Sequence, residues 1–214
     1  MKKAILLCAV LFSLVGCTYY YLVNPGKQNI GDLYRVKTNI AWSRAIENDV
    51  EVWTVDGPLL QEVRFISGLS DGLPLIHSDP QQKIKLPPFR SHMTPSEVQE
   101  LFVATAKSLN AVVEAEHLVK GRVPYFALRS AGINASSVQT ANLRPTDFGT
   151  LPGFRFDVSF LSKEGLEFEG IVVGTIHKER LYLIVYTGTQ EYYYPKYKDE
   201  LELIISSIEI YQKR

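Results

Sequence analysis

Gly68-Leu69-Ser70-Asp71-Gly72 has the G-x-S-x-G spacing of a nucleophile elbow, the sharp turn that lifts a serine hydroxyl above a sheet to attack an acyl carbonyl. That chemistry needs a strand before the serine and a helix after it, because the first-turn amides of the helix hold the oxyanion. "EVRFI" supplies the strand, but Leu73-Pro74 and then Pro80 stand where the helix should begin. The break favours a Gly-rich turn that closes the strand. A serine esterase using Ser70, with a downstream acid and His177 in the order Ser, Asp, His, is the alternative. His77-Ser78-Asp79 sets three reactive residue types side by side, a pattern that reads as a turn, since neighbours in sequence do not make triad geometry. His77, His92, His117 and His177 lack the i, i+4 pairing of a helical metal site. Glu114 and Glu116 beside His117 read as a solvated helix face. Gly165, Gly170 and Gly174 have no strand-to-helix context for a phosphate loop and read as a turn and as sheet positions of close approach. No catalytic residue, metal ligand or cofactor is therefore assigned, and turnover of a substrate is not expected.

One sulfur does have chemistry written around it. In "MKKAILLCAVLFSLVGC", Lys2 and Lys3 precede an apolar or small stretch from Ala4 to Val15, the order of a secretory signal peptide. As a helix that stretch would reach roughly 18 Å, short of a hydrocarbon layer about 30 Å thick. Leu14-Val15-Gly16-Cys17 resembles the lipobox of bacterial lipoproteins, in which the cysteine sulfur takes lipid and the chain is cut just before it. The resemblance implies removal of residues 1–16, cleavage between Gly16 and Cys17, and two or three acyl chains on Cys17. One chain holds a protein to a bilayer only marginally, whereas two or more make release slow. Thr18 stands where an Asp would mark retention, and the same resemblance then implies the outer membrane, facing the periplasm. Residues 17–30 are read as a lipidated start and tether. Tyr19, Tyr20 and Tyr21 within it suit a membrane surface or, equally, the start of a first strand.

The composition agrees with an exported chain. Cys8 falls in the removed segment and Cys17 is used by lipid, which leaves no thiol for a disulfide or a metal. The 23 basic and 23 acidic residues become 21 and 23 without Lys2 and Lys3, a net of −2, so no basic footprint for nucleic acid exists. Residues 31–214 are enough for one domain with a sizeable core. Its largest interruption is the Pro-rich loop at 72–95, which holds five prolines.

Periodicity outlines the elements that would frame any site. "VEVWTVDGPLLQEVRFI" predicts an antiparallel hairpin around Asp56-Gly57, with Val50, Val52 and Thr54 on one face and Glu51, Trp53 and Val55 on the other. "MTPSEVQELF" predicts a helix capped by Thr94, with Pro95 in the first turn, Glu97 completing a capping box, and Met93 and Val98 as a hydrophobic staple. Its buried face would be Val98, Leu101, Phe102, Thr105, Leu109, Val112 and Val113. A short helix from Pro124 to Ala131, closed by Gly132, is also expected.

"GFRFDVSFLSKEGLEFEGIVVGTIHKERLYLIVYTG" predicts a three-stranded meander. Phe154, Phe156, Val158 and Phe160 share one face of its first strand. In the second strand Leu166 and Phe168 face inward, and beyond Ile171 both faces are apolar. A closing helix follows, with Tyr197, Leu201, Ile204, Ile205 and Ile208 on its buried stripe. The C-terminal tyrosines, Tyr182, Tyr186, Tyr192, Tyr193, Tyr194 and Tyr197, would complete that sheet-to-helix interface or form an aromatic recognition patch.

The meander followed by "YYYPKYKDELELIISSIEI", residues 153–211, resembles the C-terminal half of the PsbP-like fold, an antiparallel sheet flanked by helices. The lipobox together with "EVWTVDGPLLQ", "GLSDG", "MTPSEV" and "LRPTDFGTLPGFRF" is similar to a family of bacterial lipoproteins. Neither resemblance brings a site residue. The first implies docking on, or assembly of, partner proteins. The expectation is an α+β protein of the bacterial cell envelope, its mainly antiparallel twisted sheet flanked by helices. Its lipid on Cys17 holds it to a membrane, and it acts by noncovalent binding to an envelope partner.

Overall fold

The computed structural model of the chain describes residues 20–47, 50–76, 85–116 and 133–211. The expectations for Gly16, Cys17 and Thr18, for His77-Ser78-Asp79, for His117 and for the helix at 124–131 lie outside them, as do the side chains of Leu109, Val112, Val113, Glu114 and Glu116.

Strands β1 (Tyr21–Val23), β2 (Gly26–Ile30), β3 (Tyr34–Thr38), β4 (Trp42–Glu47), β5 (Val50–Thr54) and β6 (Gln61–Leu69) come first. Helix α1 (Pro95–Glu116) is next, then β7 (Ile133–Phe148), β8 (Leu151–Ser162), β9 (Glu167–His177) and β10 (Arg180–Thr189). Helix α2 (Tyr193–Ser206) and β11 (Glu209–Ile210) close the chain. Eight strands form one sheet in the order β1-β4-β5-β6-β10-β9-β8-β7, and β11-β3-β2 form a small second sheet. Every pairing is antiparallel. The α+β class expected from the sequence is the one observed.

The large sheet is apolar on both faces, which makes the domain three layers deep. On one face Trp53, Val63, Phe65, Ile171, Val173, Ile184 and Tyr186 pack under α2 (Tyr197, Leu201, Ile204) and the small sheet (Ile30, Tyr34, Val36). On the other, Val50, Val52, Ile66, Phe154, Phe156, Val158, Val172 and Leu183 lie under α1 (Val98, Leu101) and the returning loop residue Phe89. The face assignments expected for the 50–66 hairpin, the Phe154 stripe and the two-sided second strand all hold.

Helix α1 begins as its first residues dictate. The Thr94 amide donates to Glu97 Oε2 at 2.7 Å and the Glu97 amide donates to Thr94 Oγ1 at 3.3 Å. Both halves of the capping box are therefore formed. Met93 and Val98 sit in the same apolar cluster, as a staple requires.

Three expectations are corrected. Tyr21 to Ile30 is not tether: β1 pairs with β4, β2 pairs with β3, and Val23 and Ile30 are buried. Leu166 does not face inward, because it precedes β9 in the 163–166 connection and is exposed. A strand not expected from the sequence, β7, forms one edge of the large sheet, with register shifts between Asn134 and Gln139 and between Ala141 and Arg144. Its Pro145 is tolerable at such an edge, where one row of ladder hydrogen bonds is absent.

Candidate functional site

Ser70 directly follows β6, so the strand half of an elbow is present. Residues 71–76 do not supply the other half, a helix. Asp71 and Gly72 form a turn, the Gly72 amide donates to the Phe89 carbonyl at 2.9 Å, and the Phe89 amide donates to the Leu73 carbonyl at 2.8 Å. Asp71 accepts from the Ser91 amide at 2.7 Å and lies 3.4 Å from Arg90. The Ser91 amide, and after it Arg90, holds the Asp71 carboxyl below its ordinary value. GLSDG is thus the neck of the Pro-rich loop: the outgoing chain at 71–74 is tied to the returning chain at 88–91, and the next described helix begins only at Pro95. Among the described residues no helix begins directly after Ser70 to stabilise an oxyanion.

His177 ends β9, and Arg180 of β10 is its partner in register. Leu181 of β10 pairs with Leu69, so β10 lies between the strand of Ser70 and that of His177. Two strand spacings, about 10 Å of backbone, separate them. His92 is exposed in the turn before α1. Among the described residues no group of three or more His, Cys, Asp or Glu side chains could hold a metal ion.

The glycines behave as sheet and turn positions. Gly165 takes φ +86° in the β8–β9 connection, while a Cβ on Gly170 would meet Thr187 Cγ2 and Val158 Cγ1 at 2.9 Å.

The C-terminal tyrosines mostly build the interface between α2 and the sheet. Tyr186 is fully buried and its hydroxyl donates to the Tyr193 carbonyl at 2.7 Å. Tyr197 packs against Trp42 with ring centroids 5.9 Å apart. Tyr192 is the exposed member, with Lys196 Nζ 4.8 Å from its ring centre.

Trp42 donates from Nε1 to Thr38 Oγ1 at 2.8 Å, and Thr38 donates to Glu200 of α2 at 2.7 Å, so β3, β4 and α2 share one polar link inside the apolar layer. Trp53 donates to Glu51 Oε1 at 2.6 Å, and Arg44 lies 3.3 Å from the same oxygen. Burial raises the Glu51 carboxyl above its ordinary value, while Trp53 and Arg44 oppose the rise. These groups tie strands together.

The start of the described chain lies at an edge of the large sheet. It begins at Tyr20, and β1 forms the outer strand beside β4. Tyr20, Tyr21 and Leu22 are exposed there, and so is Ile46 on β4. None of the helices among the described residues is long and apolar enough to cross a membrane.

No protein-family model matches the chain, and no curated protein matches it by sequence. Among solved structures it is similar to the cyanobacterial PsbP (CyanoP) from Synechocystis, at 12% identity over 92% of this chain and 96% of that one, with a TM-score of 0.48. It is also similar to LpqN of Mycobacterium tuberculosis, a protein involved in cell envelope biogenesis, at 9% identity over 92% of this chain and 87% of that one, with a TM-score of 0.33. Neither structure gives a residue of this chain a role.

Proposed function

We propose that this chain is a lipid-anchored protein of the bacterial cell envelope, held to a membrane through acyl chains on Cys17 and acting by noncovalent binding to an envelope partner. The observation that carries this reading is a junction. A positively charged start, a short apolar core and Leu14-Val15-Gly16-Cys17 run directly into a strand that begins at Tyr21, four positions after the cysteine. A signal that ends just before the first described strand is what a lipoprotein precursor needs, because cleavage before Cys17 then leaves that strand intact. Two or three chains on one sulfur make the attachment long-lived. Thr18 favours the outer membrane, with the domain in the periplasm.

A binding role suits the body better than hydrolysis does. Ser70 sits in a loop neck and His177 lies two strands away. The partner is read as a protein complex the domain helps to assemble, or a small apolar ligand. Growth of cells producing the full chain or its Cys17→Ser variant with a labelled fatty acid tests the anchor: the parent should take up the label and be shortened by residues 1–16, and the variant should stay unlabelled at the mass of the uncut precursor. A parent chain that takes up no label, or a variant labelled and cut like the parent, would contradict the reading.

A further inference from the structure

We propose that the β1–β4 edge of the sheet is the membrane-contacting edge, with Tyr20, Tyr21, Leu22 and Ile46 seated in the headgroup layer so that the domain lies on the bilayer rather than swinging above it. The inference rests on the lipidated Cys17 proposed above and adds an orientation to it. Four residue steps separate Cys17 from Tyr21, so even a fully extended connection places the start of β1 within about 14 Å of the anchored residue. A helix on a bilayer surface is buried by about 5–10 Å, so the headgroup layer and the start of β1 occupy overlapping depths.

The side chains at that position fit the layer. Tyr21 is 59% exposed, Leu22 69% and Ile46 54%, although each lies in a strand of an otherwise well-covered sheet. Tyr21 pairs with Arg44 and Leu22 with Ser43, which leaves Ile46 two positions further along β4, on the side from which the chain arrives from Cys17. Four of the nine large apolar or aromatic side chains exposed among the described residues therefore flank this one edge, Tyr21 and Ile46 on one face of the sheet and Tyr20 and Leu22 on the other. Tyrosine suits that depth, with its ring among acyl carbonyls and its hydroxyl wet. Leu22 and Ile46 carry no charge, so apolar insertion is what they offer a bilayer.

The test places a single reporter on the full-length lipidated protein. With the Cys17 sulfur blocked by lipid, Leu22→Cys, Ile46→Cys or Lys163→Cys supplies the one free thiol of the mature chain for an environment-sensitive fluorophore. Lys163 is exposed in the β8–β9 connection, at the opposite end of the sheet from the Glu47–Val50 pair of β4 and β5. Each labelled protein is reconstituted into phosphatidylethanolamine–phosphatidylglycerol vesicles with and without spin-labelled lipid. Quenching at position 22 or 46 should exceed that at 163 by about twofold or more, as insertion by several ångströms requires, and should persist in purely zwitterionic vesicles. Equal quenching at all three sites, with Cys17 shown by mass to carry lipid, overturns the orientation and leaves the anchor standing. A blue shift at 22 without quenching by spin-labelled lipid assigns the edge to a protein surface and overturns it as well. A Cys17 found without lipid removes the tether, and both proposals fall.

Discussion

Gly170→Ala should weaken the fold through a contact that no neighbouring side chain can relieve. Gly170 lies in β9 between Val158 of β8 and Thr187 of β10, in the middle of the large sheet. A methyl group there would press into the Tyr186 carbonyl oxygen, with Thr187 Cγ2 and Val158 Cγ1 at 2.9 Å. The two side chains can turn aside, but the carbonyl belongs to the ladder that holds β9 to β10. Overpacking of a well-filled interior costs about 1–3 kcal/mol, and the reduced freedom of the unfolded chain returns about 0.4–1 kcal/mol. A net loss of about 1.3 kcal/mol is the expected balance, which for a domain of this size lowers Tm by about 3–5 °C. Both tryptophans, Trp42 and Trp53, are buried, so thermal unfolding followed by their emission reads the whole domain. In a Thr187→Ala background the same substitution should keep most of its effect. An unchanged Tm, or full recovery when Thr187 is trimmed, would refute the assignment of the clash to backbone.

The caps, the ion pairs and the loop neck give further outcomes. Thr94→Ala removes the acceptor for the Glu97 amide and should cost about 1 kcal/mol, visible as roughly fivefold faster hydrogen exchange in the first turn of α1. Glu209 pairs with Arg35 and lies 3.1 Å from Lys27, and these two cations, Arg35 foremost, hold its carboxyl down to about 2 from an ordinary 4.5. Because the folded value is the lower one, this clasp of β11 on β3 operates above pH 4.5 and fades as the pH falls toward 2. The Glu209 carboxyl resonance should titrate in that window, and Glu209→Gln should remove the acid-induced rise in amide exchange at Ile210. A fluorophosphonate probe should leave Ser70 unlabelled, and labelling that disappears in Ser70→Ala would restore the esterase reading.

The fold was legible where burial imposes a period. β5, β6, β8, β9 and β10 and both helices carry apolar side chains at intervals that packing demands, and Thr94-Pro95-Ser96-Glu97 encodes its own helix start. The small sheet was not legible, because β11 is two residues long and finds β3 across some 174 positions of sequence through the Arg35–Glu209 pair. β7 gave little signal for a related reason. As an edge strand with bulges it buries only Val138 and Phe148 among its described side chains, and its Asn, Ser, Thr and Pro content reads as loop. Leu166 misled because alternation was extended one residue past the true start of β9. The elbow pattern at Ser70 matched in letters alone, since the path of the chain beyond the serine is set by the Phe89 to Ser91 return of the loop. Exposure at Tyr21, Leu22 and Ile46 could not be read from sequence, where they resemble any half-buried strand residues.

The most direct test of the anchor is the intact mass of the protein taken from its native membrane, with fragmentation of its first peptide. The account predicts a chain that starts at Cys17 and carries a diacylglyceryl group on the sulfur, with or without a third acyl chain on the new amino terminus. A first residue other than Cys17, or an unmodified thiol at that position, would contradict it.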